Sequence, residues 1–474
     1  MSSNSREPSP KLPVHTKFAY GLGSLAFGIK DQGFNTLLML YYNQVIGLPA
    51  AWVGAAIMLT MVVDALSDPL IGHYSDHLRT RWGRRHPFMY ASAVPVSVAY
   101  LLLWMPPAGG HDLQFLYLLV MSIIVRVAIS CYEIPSTALI SEFSGDYDER
   151  TSMSTYRSLF YAIGTVGMAV VALKVFLRPT PEQPIGQLNA AGYHLYAAAA
   201  GGLMLFSILI STLGTHHRIP SLRVQQEEKR PSLADFRGQL KAIVMDRTYS
   251  SVLLCAFFFA VGGGFATTLG VYINTYFWRL NADQLGTISG SMAWGVILAL
   301  VVVQLSKKLG KKETAMVLFG VALLSIAAPV TLGLLGVMSA GMPDLIPILS
   351  LQAAVMVMCI LAAMILATSM VADVGEHFEL KTGKRTEGLM FAALIMINKA
   401  VSGMGVFLSG LALSVIGFPD HADPATIDPL AVAHLGWSCV IVVTFFCVLA
   451  IVALSFYPIT RASHERALRE LGRR

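Results

Sequence analysis

Twelve apolar runs, each long enough to cross a bilayer, leave this chain few folds to choose from. They lie near residues 18–46, 50–75, 87–105, 114–140, 154–178 and 191–214, and again near 248–278, 284–306, 313–338, 345–372, 387–416 and 431–457. A spanning helix needs roughly 17–25 residues. Only 13% of the residues are charged and 55% are hydrophobic, against about 25% charged in soluble proteins. So few charges cannot cover a water-facing surface, which excludes an ordinary soluble enzyme, a disordered protein and a nucleic-acid-binding domain. The pattern predicts an all-α membrane protein of twelve transmembrane helices in two six-helix bundles. The expected divisions are a tail over 1–16, a first bundle over 17–214, a linker over 215–247, a second bundle over 248–458 and a tail over 459–474.

All but seven of the 34 lysines and arginines fall in the tails, the central linker and the loops that follow even-numbered spans. Cytoplasmic loops are the ones enriched in Lys and Arg, so both termini are expected inside, in the plasma membrane, or in the cell inner membrane of a bacterium. This topology accounts for the net charge of +6 without a nucleic-acid partner. Met1 to Thr16 lacks a short apolar core with a small-residue cleavage site, so no cleaved signal peptide is expected. Arg84-Arg85 precede the third run as Lys311-Lys312 precede the ninth. Asp148-Glu149-Arg150-Thr151 follow the fourth run as Lys384-Arg385-Thr386-Glu387 follow the tenth. Such echoes suit paired halves, one way in which transporters are built. Leu233, Phe236, Leu240, Ile243 and Val244 recur at helical spacing in the linker, as in a helix on the membrane surface or against the bundle.

The chemistry lies in charges placed where lipid should be. Lys30, Asp31, Asp64, Asp68, Arg126, Glu133, Arg157 and Lys399 fall inside apolar runs, four of each sign. Facing lipid they would together cost on the order of 20 kcal/mol, so they must face one another or a wet cavity. Asp64 and Asp68 are four apart, on one face of a helix. A hard monovalent cation, with Ser67 adding a hydroxyl, would relieve their repulsion; the alternative is pairing with Lys or Arg of other helices. Arg126 and Glu133, seven apart, share a face. Lys30 and Asp31 lie ~20 Å into the first run, past the middle of a ~30 Å core, and as neighbours they point to different sides of a helix. Lys399 reaches a similar depth in the eleventh. Arg157 is close enough to the end of the fifth to snorkel.

No nucleotide-binding loop, nucleophile elbow or paired metal motif is present, so neither an enzyme nor a cofactor is expected. Cys131, Cys255, Cys359, Cys439 and Cys447 all sit in apolar runs as packing residues. Gly262-Gly263-Gly264 would allow close helix approach or local unwinding. His216-His217 and Glu376-His377 read as solvated loop residues.

Asp64-Ala-Leu-Ser-Asp68-Pro69-Leu-Ile-Gly72, followed by Arg81-Trp82-Gly83-Arg84-Arg85-His86-Pro87, resembles the glycoside–pentoside–hexuronide:cation symporters of the major facilitator superfamily. Lys30-Asp31, Glu133-Ile-Pro135, Ala372-Asp373 and Lys399 extend the match over nearly the whole chain. The resemblance implies the major facilitator fold with pseudo-symmetric halves and alternating access. It implies a cation site at Asp64 and Asp68 with oxygen ligands at Ser67 and Ser130, the ion being Na⁺ or H⁺. It implies a substrate site lined by Lys30, Asp31, Glu133 and Arg157, with Lys399 nearby. Asp76, Arg84 and Arg85 would hold the inner side closed, and Arg150 and Arg385 in the repeated loops are expected to join them. Glu133, Thr137 and Met364 stand where the family's well-known sugar permease carries an aspartate and two tryptophans. The expectation is a monomeric symporter for a sugar or glycoside. The alternatives are a carrier of a lysolipid or other amphipathic solute, and a non-transporting membrane sensor or scaffold.

Overall fold

A computed structural model describes residues 12–144, 146–221, 245–382, 387–459 and 461–470. The linker sequence 233–244 and Arg385 therefore lie outside the described residues. So does the side chain of Lys399, although its backbone belongs to a helix. The described chain is helical throughout its apolar runs. Span 1 covers residues 14–45, and span 2 is Ala50–His77, span 3 His86–Leu103 and span 4 His111–Phe143. Span 5 is Asp148–Phe176 and span 6 Ala190–His216. In the second half, span 7 is Arg247–Phe277, span 8 Ala282–Leu309, span 9 Lys311–Leu334, span 10 Leu345–Thr382, span 11 Glu387–Val415 and span 12 Pro429–Ser455. A short polar helix, Arg461–Glu470, follows.

Three helices that begin outside the apolar runs are capped by aspartates. Asp146 accepts from the Asp148 N–H, Asp246 from the Thr248 and Tyr249 N–H groups, and Asp428 from the Leu430 N–H. Such caps satisfy donors that have no partner in the first turn. The Asp146 cap lets the helix of span 5 begin well before its apolar run, through the polar Asp148-Glu149-Arg150-Thr151. Span 10 likewise continues past residue 372, because no proline interrupts Asp373 to Leu380 and the single Gly375 is tolerated within the helix. Glu376 and His377 are therefore helical rather than loop residues. His216 is also no loop residue: it ends span 6, its Nδ1 lies 3.0 Å from the Tyr90 hydroxyl, and it packs edge-on against the rings of Trp82 and His86.

The described residues form two compact units. One contains residues 12–34 with 62–221; the other contains 35–61 with 245–470. In the first, spans 1 and 5 meet at glycines. A Cβ on Gly28 would lie 2.3 Å from the Tyr161 carbonyl oxygen, and one on Gly164 2.5 Å from that of Leu25. Small residues at both contact points bring the backbones together. Between spans 1, 3 and 6, Tyr196 donates to Gln32 Oε1 at 2.9 Å and lies 2.6 Å from the Tyr100 hydroxyl. These two buried hydroxyls therefore have partners, as an apolar interior requires.

In the second unit, the triple glycine of span 7 serves close packing and is not unwound, since the helix runs unbroken from Arg247 to Tyr272. A Cβ on Gly405 of span 11 would sit 2.4 Å from the Val261 carbonyl and 2.9 Å from Gly264 Cα. Residues 35–61, the end of span 1 and the start of span 2, pack here too: a Cβ on Gly410 would lie 2.3 Å from the Ala50 carbonyl. A polar cluster caps this contact. Asn43 donates to Asp420 Oδ1 (2.6 Å) and accepts from the Tyr272 hydroxyl (2.9 Å). Gln44 Oε1 accepts from the Tyr276 hydroxyl (2.9 Å) and the Ala422 N–H (2.8 Å).

Gly47 closes the turn after this cluster at φ +88°, with His421 Nε2 only 2.1 Å from where a Cβ would stand. Gly47→Ala should destabilise the protein by about 1–3 kcal/mol from the backbone alone, plus the displacement of His421. Gly341→Ala is the control: its φ is +87° but nothing lies within 4 Å of its Cβ position. Thermal unfolding should fall for both and further for Gly47→Ala; equal losses would show that the His421 contact carries nothing.

Candidate functional site

The charged residues of the first unit converge on three clusters. In the first, span 4 presents Arg126, Ser130 and Glu133 on one face, at i, i+4 and i+7, and span 2 presents Asp64, Ser67 and Asp68. Arg126 Nη1 lies 3.2 Å from Asp64 Oδ2, and Ser130 Oγ donates to Asp64 Oδ1 at 3.0 Å. Asp64 and Arg126 are each 5% exposed. The Arg126 guanidinium also lies over the Phe34 ring, 4.7 Å from its centroid. Ser67 Oγ donates to the Asp64 backbone carbonyl at 3.0 Å, which leaves its lone pairs as acceptors. Asp68 is half-buried one turn beyond. Of the two sequence readings of the span-2 carboxylates, the pairing with a basic residue of another helix is realised at Asp64. Two carboxylates and two hydroxyls are also the hard oxygen donors that a small monovalent cation takes.

The second cluster joins spans 1, 4 and 5. Lys30 and Asp31 do not diverge to separate sites, because the flexible lysine stem folds back. Lys30 Nζ lies 2.5 Å from Asp31 Oδ1 and 4.3 Å from the Phe27 centroid. Tyr161 donates to the other Asp31 oxygen at 3.1 Å, a contact set up by the glycine-mediated approach of span 5. Arg157 does not snorkel away. Its guanidinium donates to the Tyr20 hydroxyl (3.1 Å), Ser136 Oγ (3.0 Å) and Thr137 Oγ1 (2.8 Å). Thr137 in turn donates to the Glu133 carbonyl at 2.8 Å. The position that holds an aromatic in the sugar permease is thus part of a hydrogen-bonded chain. Glu133 is half-buried beside it.

The third cluster lies at the Lys/Arg-rich end. Arg84 Nη2 lies 2.7 Å from Glu142 Oε1, Arg85 Nε donates to the same oxygen, and Arg85 Nη2 lies 3.1 Å from Asp76 Oδ1. Glu142 is only 2% exposed. Arg150 donates through Nε to the Ser144 carbonyl at 2.7 Å and so ties the loop after span 4. The second unit repeats the device: Lys311, which opens span 9, lies 2.6 Å from Asp373 Oδ2 in span 10, and His464 lies 3.4 Å from Glu376. The echo between Arg84-Arg85 and Lys311-Lys312 is therefore a repeated ion pair.

Sequence reasoning missed four participants. Glu142 was indistinguishable from a loop acid at the edge of its run. Tyr161 carried no charge to flag it, and Asn43 and Gln44 looked like polar residues at a span end. Pairing each basic pair with the nearest acid of the next span would have found Glu142. The second unit offers a contrasting surface: a cavity of about 70 Å³ whose lining includes Met364, Phe259 and Leu394, with Thr368 and Asn398 as its polar groups.

Over residues 19–461 the chain matches the family described as MFS/sugar transport protein. It is 27% identical to an uncharacterized symporter of Synechocystis sp., over 98% of this chain and 97% of that one. It is 25% identical to the isoprimeverose transporter of Lactiplantibacillus pentosus, over 95% of this chain and 90% of that one. Among solved structures, the nucleoside transporter NupG shares the fold with a TM-score of 0.66 at 14% identity, over 94% of this chain and 100% of that one. With a family match over almost its full length, the chain belongs to the MFS/sugar transport protein family, the glycoside–pentoside–hexuronide:cation symporters of the major facilitator superfamily.

Proposed function

We propose that this protein is a cation-coupled symporter for a sugar or glycoside that works by alternating access. Asp64, Asp68, Ser67 and Ser130 form its cation site. Lys30, Asp31, Glu133, Arg157 and Lys399 serve the substrate. Asp76, Arg84, Arg85, Arg150 and Arg385 serve the inner gate, with both termini on the cytoplasmic side of a plasma or inner membrane. The coupling ion is Na⁺ or H⁺, and the transporting unit is a monomer. The observation that carries this reading is the concentration of buried carboxylates and hydroxyls on the facing sides of spans 2 and 4. Each charge there costs roughly 2.5–3.5 kcal/mol at a helix centre, which a scaffold has no reason to bear. The isoprimeverose transporter among its relatives supports a glycoside as the cargo.

Counterflow in proteoliposomes, with a panel of pentosides, hexuronides and disaccharides and with imposed Na⁺ or proton gradients, tests the proposal. Accumulation of none of them under either gradient would reject it. The substrate so found allows a sharper test. Glu133→Gln should weaken substrate binding and shrink the factor by which cation and substrate tighten one another, typically five- to 150-fold, while cation binding alone persists. Linkage makes that factor the same in both directions, so calorimetric titration of each ligand with and without the other measures it twice. Unchanged affinities and coupling would make Glu133 a structural residue.

A further inference from the structure

Arg126 places a positive charge on the carboxylate assigned to the coupling cation. The contact is single-pronged: one Nη1 faces one Asp64 oxygen at 3.2 Å, whereas guanidinium and carboxylate can form two parallel bonds. The Arg126 Nε is buried with no hydrogen-bond partner among the described residues. The other holds on the guanidinium are the face of Phe34 and the packing that keeps it out of water. Ser130 already donates to the second Asp64 oxygen, so the carboxylate is neutralised and solvated by the protein itself.

We infer that Arg126 is a tethered counter-cation, a specificity-determining residue that a free monovalent cation must displace from Asp64 in order to bind. Cation binding in this protein is then an exchange of one positive charge for another. Its affinity is lowered by the work of moving a buried guanidinium off its partner, and Arg126 sets how strongly the ion is held. This rests on the reading of Asp64 as a cation ligand.

The test needs no transported substrate. The full chain in lipid nanodiscs is titrated with NaCl and with LiCl, choline chloride keeping ionic strength constant, and the cation-dependent rise in unfolding temperature gives the affinity. Arg126→Gln removes the competing charge while keeping a polar side chain of similar reach. It should bind Na⁺ or Li⁺ about tenfold tighter or more, within the usual range for coupled charges. Arg126→Lys keeps a buried positive charge but loses the planar guanidinium over Phe34. It should tighten binding by a smaller factor, and it decides the matter if the glutamine variant does not fold. Unchanged or weaker cation binding in whichever of these variants folds overturns the inference. The double variant Asp64→Asn with Arg126→Gln avoids leaving either charge alone and should lose the gained affinity. If it binds the cation as tightly as Arg126→Gln does, the assignment of Asp64 as cation ligand fails, a result distinguishable from failure of the Arg126 proposal.

Discussion

Asp64→Asn should abolish cation-driven accumulation and also lower the stability of the folded protein. The two losses have different causes. Stability falls because Arg126, 5% exposed, is left as a buried charge without its carboxylate, a defect that typically costs about 3–5 kcal/mol. Accumulation falls because the carboxylate that answers the cation is gone. Adding Arg126→Gln separates them. The residues are in contact, so their effects should be strongly non-additive: the double variant should recover most of the unfolding temperature and none of the uphill transport. Thermal unfolding in nanodiscs and uptake into proteoliposomes under an imposed ion gradient read the two arms. Wild-type accumulation by Asp64→Asn, or a double variant that regains transport together with stability, would show that Asp64 has a structural role only.

The second large effect is expected at Glu142, the acid beneath two arginines. Glu142→Gln leaves Arg84 and Arg85 facing a neutral amide in a site where Glu142 is 2% and Arg85 7% exposed. Asp76, whose side chain is 40% exposed, is too solvated to compensate. The loss should again be about 3–5 kcal/mol in the state that forms this cluster. If the cluster holds the Lys/Arg-rich end of the first unit together, a cysteine placed at Ala138, about one and a half turns before the end of span 4 at Phe143, should be alkylated several-fold faster in the variant. The matching change in the second unit, Asp373→Asn, should have a smaller effect, because the Lys311 side chain is 36% exposed and solvated pairs contribute little. An unchanged alkylation rate and unfolding temperature in Glu142→Gln would remove the cluster from any gating role.

The twelve spans could be read from the sequence because lipid demands long apolar runs, and the charges within them stood out for the same reason. Asp64 and Asp68 declared their common face by their spacing, and Arg126 and Glu133 theirs. What spacing could not supply was which face of one helix meets which face of another. Which basic residue stands beside Asp64 could therefore be named only once the helices were packed, when Arg126 is found against it. Glu142 escaped notice because its importance comes from burial beneath Arg84 and Arg85, and an acid two residues past an apolar run has no mark of burial. Boundaries failed where polar sequence stays helical, as at Asp148-Glu149-Arg150 and at Asp373 to Leu380. There the apolar run ends but the backbone has no reason to. The Cβ directions of Lys30 and Asp31 did not show that their side chains pair, because direction alone ignores the reach of a lysine.

Span 1 contains two wide π turns, Gly33–Leu37 and Tyr41–Val45, on either side of Leu38–Leu40. A wide turn holds one residue more than an ordinary one, and each residue of a helix advances its phase by about 100°. Each wide turn therefore shifts the phase of the residues that directly follow it by about that angle. Asn43 and Gln44 reach Asp420, Tyr272 and Tyr276 from within the second of these turns. The angular phase of the tip of span 1 is thus set by backbone that is wider than an α-helix. Shortening residues 33–37 by a single residue would be equivalent to turning the residues that directly follow a little over a quarter of the way around the helix axis.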